Sequence, residues 1–174
     1  MLVHVDWRAS HYIKLSMDRM EQFGYGNFKN EIVWKYNSGG ASKRHLSRKH
    51  DTILWYVKGD GDYTFNILRE PYATPDTEGR PGFHPDGRML TDVWDIPFLS
   101  TTSGERTGYP TQKPLKLLER VVEVFSNPGD TVLDGFCGSG TTGLAAKRLG
   151  RNSILVDAGG EAVKVSKKRI KHGS

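Results

Sequence analysis

The sequence predicts an α/β fold, and two observations carry that expectation. Toward the carboxy terminus, strand and helix patterns alternate, with a glycine-rich turn between the first strand and the helix that follows it. Upstream, short segments alternating apolar and polar side chains mark further strands around one amphipathic helix.

Taken in order, Leu2 to Val5 is an apolar run that predicts a buried strand. Ser10 is placed to cap a helix from His11 to about Gln22, with Ile13, Met17 and Met20 on one face and Gly24 beyond its end. Phe28 to Tyr36 puts Ile32, Trp34 and Tyr36 on one side of a strand. His50 to Lys58 does the same with Ile53, Trp55 and Val57, leaving Leu54 and Tyr56 on the other side. Between these strands SGGASKRHLSRK is a loop of glycine, serine and basic residues. Prolines 71, 75, 81, 85 and 97 leave no long periodic pattern from 67 to 108, which predicts an irregular insert. Pro114 then suits a helix first turn, and Leu115, Leu118, Val122 and Phe125 form its apolar stripe. Asn127-Pro128-Gly129-Asp130 stops that helix. A strand from Thr131 to Asp134, a helix from about Thr141 to Leu149, a strand from Ser153 to Asp157 and a basic helix to about Lys171 complete the pattern.

Composition bounds the function. The 174 residues suit one domain with a small insert, and 36% apolar residues suffice for a core. No apolar run is long enough for a membrane helix, and the amino terminus lacks the regions of a secretory signal. Cys137 is the single cysteine, which excludes an internal disulfide and a cysteine zinc cluster and fits a cytoplasmic protein. The six histidines (His4, His11, His45, His50, His84, His172) show no ligand spacing, so no metal site is expected. A net charge of +5 is compatible with a nucleic-acid partner without requiring one.

The chemistry concentrates in TVLDGFCGSGTTG. Gly138-x-Gly140-x-x-Gly143 follows a strand and opens a helix, and Asp157 lies 19 residues after Gly138 at the end of the next strand. In such a unit glycines let backbone approach an adenosine cofactor, while the acid accepts hydrogen bonds from ribose hydroxyls. A dinucleotide fold places this turn early, yet only 31 residues follow Gly143, room for one strand and one helix. S-adenosylmethionine fits better: it has no phosphate, and Asp134 at the first strand's end favours its cationic amino-acid end.

At these residues the sequence resembles a family. LDGFCGSGTT is similar to the cofactor motif of DNA adenine-N6 and cytosine-N4 methyltransferases, an Asp-Pro-Phe-x-Gly-Ser-Gly-Thr-Thr run, with Gly135 where proline is usual. ERTGYPTQKPLKLLER resembles the segment preceding that motif. The stretches LVHVDWRASHYIKLSMDRMEQFGYGNFKNEIVWKY, SGGASKRHLSRKHDTILWYVKGDGDYTFN and DVWDIP resemble the branch that includes type III modification subunits. The resemblance implies a Rossmann-like S-adenosylmethionine-dependent methyltransferase sheet. It divides the chain into residues 1–66 (part of the catalytic half), 67–108 (a short target-recognition insert) and 109–174 (the cofactor part). It also implies a cofactor site of Thr111, Gln112, Lys113, Pro114, Asp134, Phe136, Gly138, Ser139, Gly140, Thr141, Thr142 and Asp157, in which Lys113 suits the methionine carboxylate.

The implied reaction is direct transfer of methyl to an exocyclic amino group of a base flipped from duplex DNA, adenine N6 before cytosine N4. In the family an Asp-Pro-Pro-Tyr or Ser-Pro-Pro-Tyr tetrapeptide at a strand end holds that amino group. Neither occurs here; Glu70-Pro71-Tyr72 and Asn127-Pro128 do not match, so no catalytic residue is assigned. The family places the tetrapeptide upstream of the stretch with which Met1 begins. The expectation is a sheet incomplete at its amino-terminal part, from a truncated frame, a remnant or one half of a split enzyme. Such a chain is inactive alone and is served by a complementing amino-terminal chain or a homodimer. A non-catalytic cofactor- and DNA-binding remnant or subunit is the alternative. Lys43, Arg44, Arg48 and Lys49 are the candidate phosphate contacts to double-stranded DNA. The helix bearing Lys164, Lys167, Lys168, Arg169 and Lys171 reads as a solvated face with charge spread around it, and Trp34, Trp55 and Tyr56 read as core.

Overall fold

A computed structural model of the chain describes residues 1–37, 41–59, 61–73 and 80–173. They fall into two compact units: Met1–Lys35 with His50–Asp95, and Tyr36–Lys49 with the chain from Ile96 onward.

The first unit is built on a four-stranded sheet of β1 (Leu2–Val5), β2 (Phe28–Lys35), β3 (His50–Tyr56) and β6 (Val93–Asp95), in the order β1-β3-β2-β6. β3 runs antiparallel to both neighbours, whereas β6 is parallel to β2. Alternation along β2 and β3 sorts their side chains as the sequence predicts. Leu54 and Tyr56 face helix α1 (Ser10–Asp18), packing with Met17, Ile13, Phe23, Val3 and Phe28. Ile32, Trp34 and Ile53 are buried on the opposite face. The Tyr56 hydroxyl donates to Asp18 Oδ1 at 2.5 Å, and Lys14 Nζ lies 2.8 Å from Asp18 Oδ2 and 3.9 Å from the centre of the Phe28 ring. Burial first, and then this aspartate, raise the Tyr56 pKa far above its ordinary value.

Two elements differ from expectation. Helix α1 stops at Asp18, its N-cap is Ala9 without a side-chain bond, and Ser10 lies inside it. Gly24, at φ 58°, donates its N–H to the Met17 carbonyl, so the chain turns away before Met20, which stays exposed. Within residues 67–73 and 80–108 there is more strand than a proline-rich insert predicts. β4 (Arg69–Glu70) pairs with β5 (Arg88–Met89), and β6 joins the main sheet with Trp94 in register with Trp34. Both indoles are buried, and Trp94 donates to the Thr91 carbonyl at 2.8 Å. Short strands this close to prolines escape periodicity because too few residues alternate to register a pattern. Trp34 and Tyr56 are core residues, whereas Trp55 is partly exposed and stacks on Phe65.

The second unit holds the predicted βαβ arrangement: α2 (Leu115–Phe125), β7 (Thr131–Asp134), α3 (Thr141–Arg148), β8 (Asn152–Leu155) and α4 (Gly160–His172). β7 and β8 are parallel, with Leu133 opposite Ile154 and Asp134 opposite Leu155. Leu115, Val122, Leu144 and Ala145 form its core, with Leu118, Val132 and Leu149 packed against them. Gly143 lets α3 settle between strand and helix: a Cβ there would stand 2.5 Å from Leu155 Cδ1 and 2.8 Å from Ile170 Cδ1. Pro114 is the N-cap of α2 rather than its first residue, because its ψ of 139° is extended. The other face of this pair is uncovered, with Leu133, Ile154 and Val156 each more than half exposed. Among the described residues β7 pairs with no strand but β8, and β1 with none but β3.

Leu144 is 1% exposed at the centre of the second unit's core. Leu144→Ala should therefore cost about 2–5 kcal/mol of stability through reduced burial and the cavity left behind, read as a lower urea midpoint at unchanged slope.

Candidate functional site

The second unit concentrates its polar geometry around the turn between β7 and α3. Asp134 ends β7, and its carboxylate accepts the Phe136 N–H at 3.0 Å and the Thr142 hydroxyl at 2.6 Å. It thereby spans the turn from entry to exit. Gly138 and Gly140 carry φ values of 48° and 75°, conformations that disfavour side chains bearing Cβ. The Gly138 N–H donates to Asp157 Oδ2 at 2.9 Å, and the Gly159 N–H donates to Asp157 Oδ1 at 2.8 Å. These two backbone donors, Gly159 first, hold the Asp157 carboxyl below the usual aspartate range and keep it ionised. Asp157 thus has a structural duty besides the expected one toward a ribose. A carboxylate has lone pairs beyond two bonds, so both roles are compatible. Phe136 stands 95% exposed at the same turn.

The other hydroxyls of the turn point inward. Ser139 and Thr141 are buried, and the Arg169 guanidinium donates to Thr141 Oγ1 at 2.6 Å and to Ser139 Oγ at 3.2 Å. Thr141 also donates to the Lys113 carbonyl at 3.3 Å, which joins the turn to the segment from Glu105 to Pro114. That segment is internally braced. Gln112 is buried, its amide donates to the Glu105 carbonyl, and its oxygen accepts both the N–H and the hydroxyl of Thr107 at 2.8 Å. Gln112 therefore shapes the loop with its own polar atoms. Thr111 has φ 59°, an uncommon conformation for a β-branched residue and one of the kind that collects at ligand sites. Thr111 is exposed, Lys113 partly exposed and Pro114 buried.

Three residues of this site are not singled out by the sequence reading. Tyr109 lies against the turn, where a Cβ on Gly138 would meet its ring at 3.1 Å. Glu105 accepts both the Leu115 N–H at 2.8 Å and the Arg169 guanidinium at 2.9 Å. Arg169 is counted with the basic residues of α4, but Ala162, Ser166 and Arg169 form that helix's buried face. Their spacing of four and three residues is the signal that could have found it. With Arg169 turned inward, Lys164, Lys167, Lys168 and Lys171 form one exposed face, which corrects the expectation of charge spread around α4.

The candidate DNA loop divides. Ser38, Gly39 and Gly40 lie outside the described residues. Lys43, Arg44 and Arg48 are exposed or partly so, as is Lys49; this loop belongs to the unit that carries the glycine turn. No histidine, cysteine or carboxylate cluster able to hold a metal occurs among the described residues.

Comparison with known proteins decides the family. A family model described as DNA methylase, of the N6/N4 methyltransferase type, matches residues 1–168. The chain belongs to the N6/N4 DNA methylase family. Among curated members it is 36% identical over 136 residues to the type II methyltransferase M.ScaI of Streptomyces caespitosus, covering 73% of this chain and 45% of that protein. It is also 36% identical over 152 residues to the DNA adenine methyltransferase YhdJ of Escherichia coli K12, covering 82% and 52% respectively. The chain thus spans about half the length of these relatives. Among solved methylase structures, the M1.HpyAVI–SAM complex superposes with a TM-score of 0.72 at 30% identity, covering 98% of this chain and 73% of that one. The cytosine-N4-specific PvuII methyltransferase shares the fold at a TM-score of 0.70 and 18% identity. Sequence resemblance points to the branch with type III modification subunits; the two curated relatives bear type II and adenine-methyltransferase names.

The two sides of the methylase turn differ in their tolerance. A Cβ on Gly140 would stand 2.6 Å from Ser166 Cβ in a left-handed conformation, whereas Gly135 has open space and no positive φ. Gly140→Ala should destabilise by about 1–3 kcal/mol, and Gly135→Ala should stabilise by about 0.4–1 kcal/mol by narrowing the unfolded ensemble. Urea unfolding of the two variants beside the unaltered chain measures both signs.

Proposed function

We propose that the chain is the S-adenosylmethionine-binding part of a DNA amino-methyltransferase that acts on adenine N6. The observation that carries this reading is the ionised Asp157 at the carboxy-terminal end of a parallel strand, bonded to the Gly138 N–H of the glycine turn. Ligands of open α/β sheets bind at that end of the strands. The residues present fit the cofactor. Asp157 and Asp134 offer carboxylates for ribose hydroxyls and for a cationic amino-acid end, and Phe136 offers an exposed aromatic surface beside them. Thr111, Gln112, Lys113 and Pro114 border the turn, with Lys113 the cation for the methionine carboxylate; Gly138, Ser139, Gly140, Thr141 and Thr142 form its floor. The bound cofactor supplies an activated methyl group. Adenine is preferred because the Escherichia coli relative is named an adenine methyltransferase.

Catalysis requires a segment this sequence does not contain, the Asp-Pro-Pro-Tyr tetrapeptide that grips the target amino group. Two features support a complementing amino-terminal segment, on this or another chain. Parallel sheets are ordinarily covered on both faces, yet Leu133, Ile154 and Val156 expose an apolar face. β7 also keeps one edge without a hydrogen-bonded strand among the described residues. A strand–helix segment bearing the tetrapeptide would satisfy both.

The test is calorimetry together with transfer of labelled methyl to duplex DNA. The chain should bind S-adenosylmethionine and not NAD, and Gly138→Asp should abolish binding. Alone it should give no turnover, and an amino-terminal segment with Asp-Pro-Pro-Tyr, fused or in trans, should restore it. Binding of NAD in place of S-adenosylmethionine would overturn the assignment. Sustained turnover by the unaided chain would overturn the incomplete-enzyme reading, and binding with no restorable turnover would favour a non-catalytic subunit.

For DNA, the proposed phosphate ligands are Lys43, Arg44, Arg48 and Lys49 of the loop in the second unit. Each of these cations that neutralises a phosphate should make the slope of log affinity against log salt more negative by about 0.9, through the counterion it releases. Neutralising all four and repeating a salt titration with duplex DNA should flatten that slope, and an unchanged slope would show the loop to be merely solvated.

A further inference from the structure

We infer that Arg169 is a positioning residue of the cofactor turn, acting with Glu105 to hold the turn in its binding shape. The inference rests on reading that turn as the S-adenosylmethionine site. The Arg169 side chain is 1% exposed, an unusual burial for a guanidinium on a surface helix. Its donors are spent in two directions. One nitrogen reaches the Thr141 and Ser139 hydroxyls on either side of Gly140, and the other reaches Glu105 Oε1. Glu105 Oε1 also accepts the first N–H of α2, at Leu115. A single ion pair therefore connects α4, the glycine turn, the 105–114 segment and the start of α2.

The placement explains how a group that touches no ligand governs binding. Ser139 adjoins Gly138, whose N–H bonds Asp157, and Thr141 adjoins Thr142, whose hydroxyl bonds Asp134. Fixing the two inward hydroxyls fixes the backbone that sets both ligand-facing carboxylates. Helix α4 comes close enough to do this because Gly140 has no Cβ to meet Ser166. Burial pushes the Arg169 pKa down while the Glu105 carboxylate pushes it back up, and the guanidinium stays charged. A planar fork meets acceptors on two sides at once, which a lysine ammonium cannot reproduce.

The experiment separates positioning from bulk stability. In the full chain, Arg169→Lys and Glu105→Gln should each raise the Kd for S-adenosylmethionine roughly tenfold, as expected when a charge-assisted bond is removed, measured by calorimetry well below each variant's Tm. Both also lower Tm. The decisive variant is Arg169→Met with Glu105→Leu. Replacing both charges by apolar groups removes the cost of an unpaired buried ion and should recover much of the Tm, while the Ser139 and Thr141 hydroxyls lose their guanidinium partner and affinity stays low. Thr141→Val, which deletes the acceptor for Arg169 together with the donor to the Lys113 carbonyl and alters neither charge, should weaken binding in the same direction and serves if the arginine variants do not fold. Recovery of affinity together with Tm in the double variant would show a structural role only and overturn the inference, as would unchanged affinity in Arg169→Lys or Thr141→Val. An unaltered chain that binds no S-adenosylmethionine would instead overturn the cofactor reading on which the inference stands.

Discussion

The bond from the Gly138 N–H to Asp157 is the constraint on which the second unit's architecture turns. It crosses from the end of one parallel strand to the end of the next, so it exists only when β7 and β8 are in register. Register in turn depends on α3 lying flat, which Gly143 permits against Leu155 and Ile170. The left-handed glycines at 138 and 140 are what allow the chain to leave β7 and enter α3 within so few residues. Strand pairing, helix packing and turn geometry are one requirement met at a single point.

Much of this is legible in the sequence, for identifiable reasons. The βαβ unit is readable because glycines, a strand-end acid and apolar periodicity fall within a short window and all report local backbone conformation. β7 has the bounds the sequence predicts, and β8 begins one residue earlier and ends two earlier. Long-range partners are not readable. Nothing near Tyr56 announces that its hydroxyl meets Asp18, 38 residues away. Arg169 resembles one more solvated base when residue type outweighs its place on the buried stripe of α4. Gln112 reads from its family motif as facing a cofactor, yet its amide is used within its own loop. Family resemblance marks a position as part of a site; the hydrogen-bond geometry adds what its side chain does for the loop.

The division of the chain follows packing rather than sequence order. The loop from Tyr36 to Lys49 leaves the first unit's sheet between β2 and β3 and is counted with the second unit. Tyr36 packs its ring on Phe98 at 5.4 Å between centres and donates its N–H to the Lys49 carbonyl, closing the loop at its base. A segment that sequence order groups with residues 1–66 thus packs with the second unit. Linear boundaries at 66 and 108 do not express an excursion of this kind, since composition changes along the chain carry no record of where a loop returns.

The uncovered face of β7 and β8 has a consequence for how the chain behaves in solution. An open parallel edge beside side chains as apolar as Leu133, Ile154 and Val156 is a template for another strand, from any source at hand. Colloidal behaviour then becomes a readout of assembly: a chain that precipitates alone and stays dispersed when a matching strand is co-expressed reports which surface was waiting to be covered.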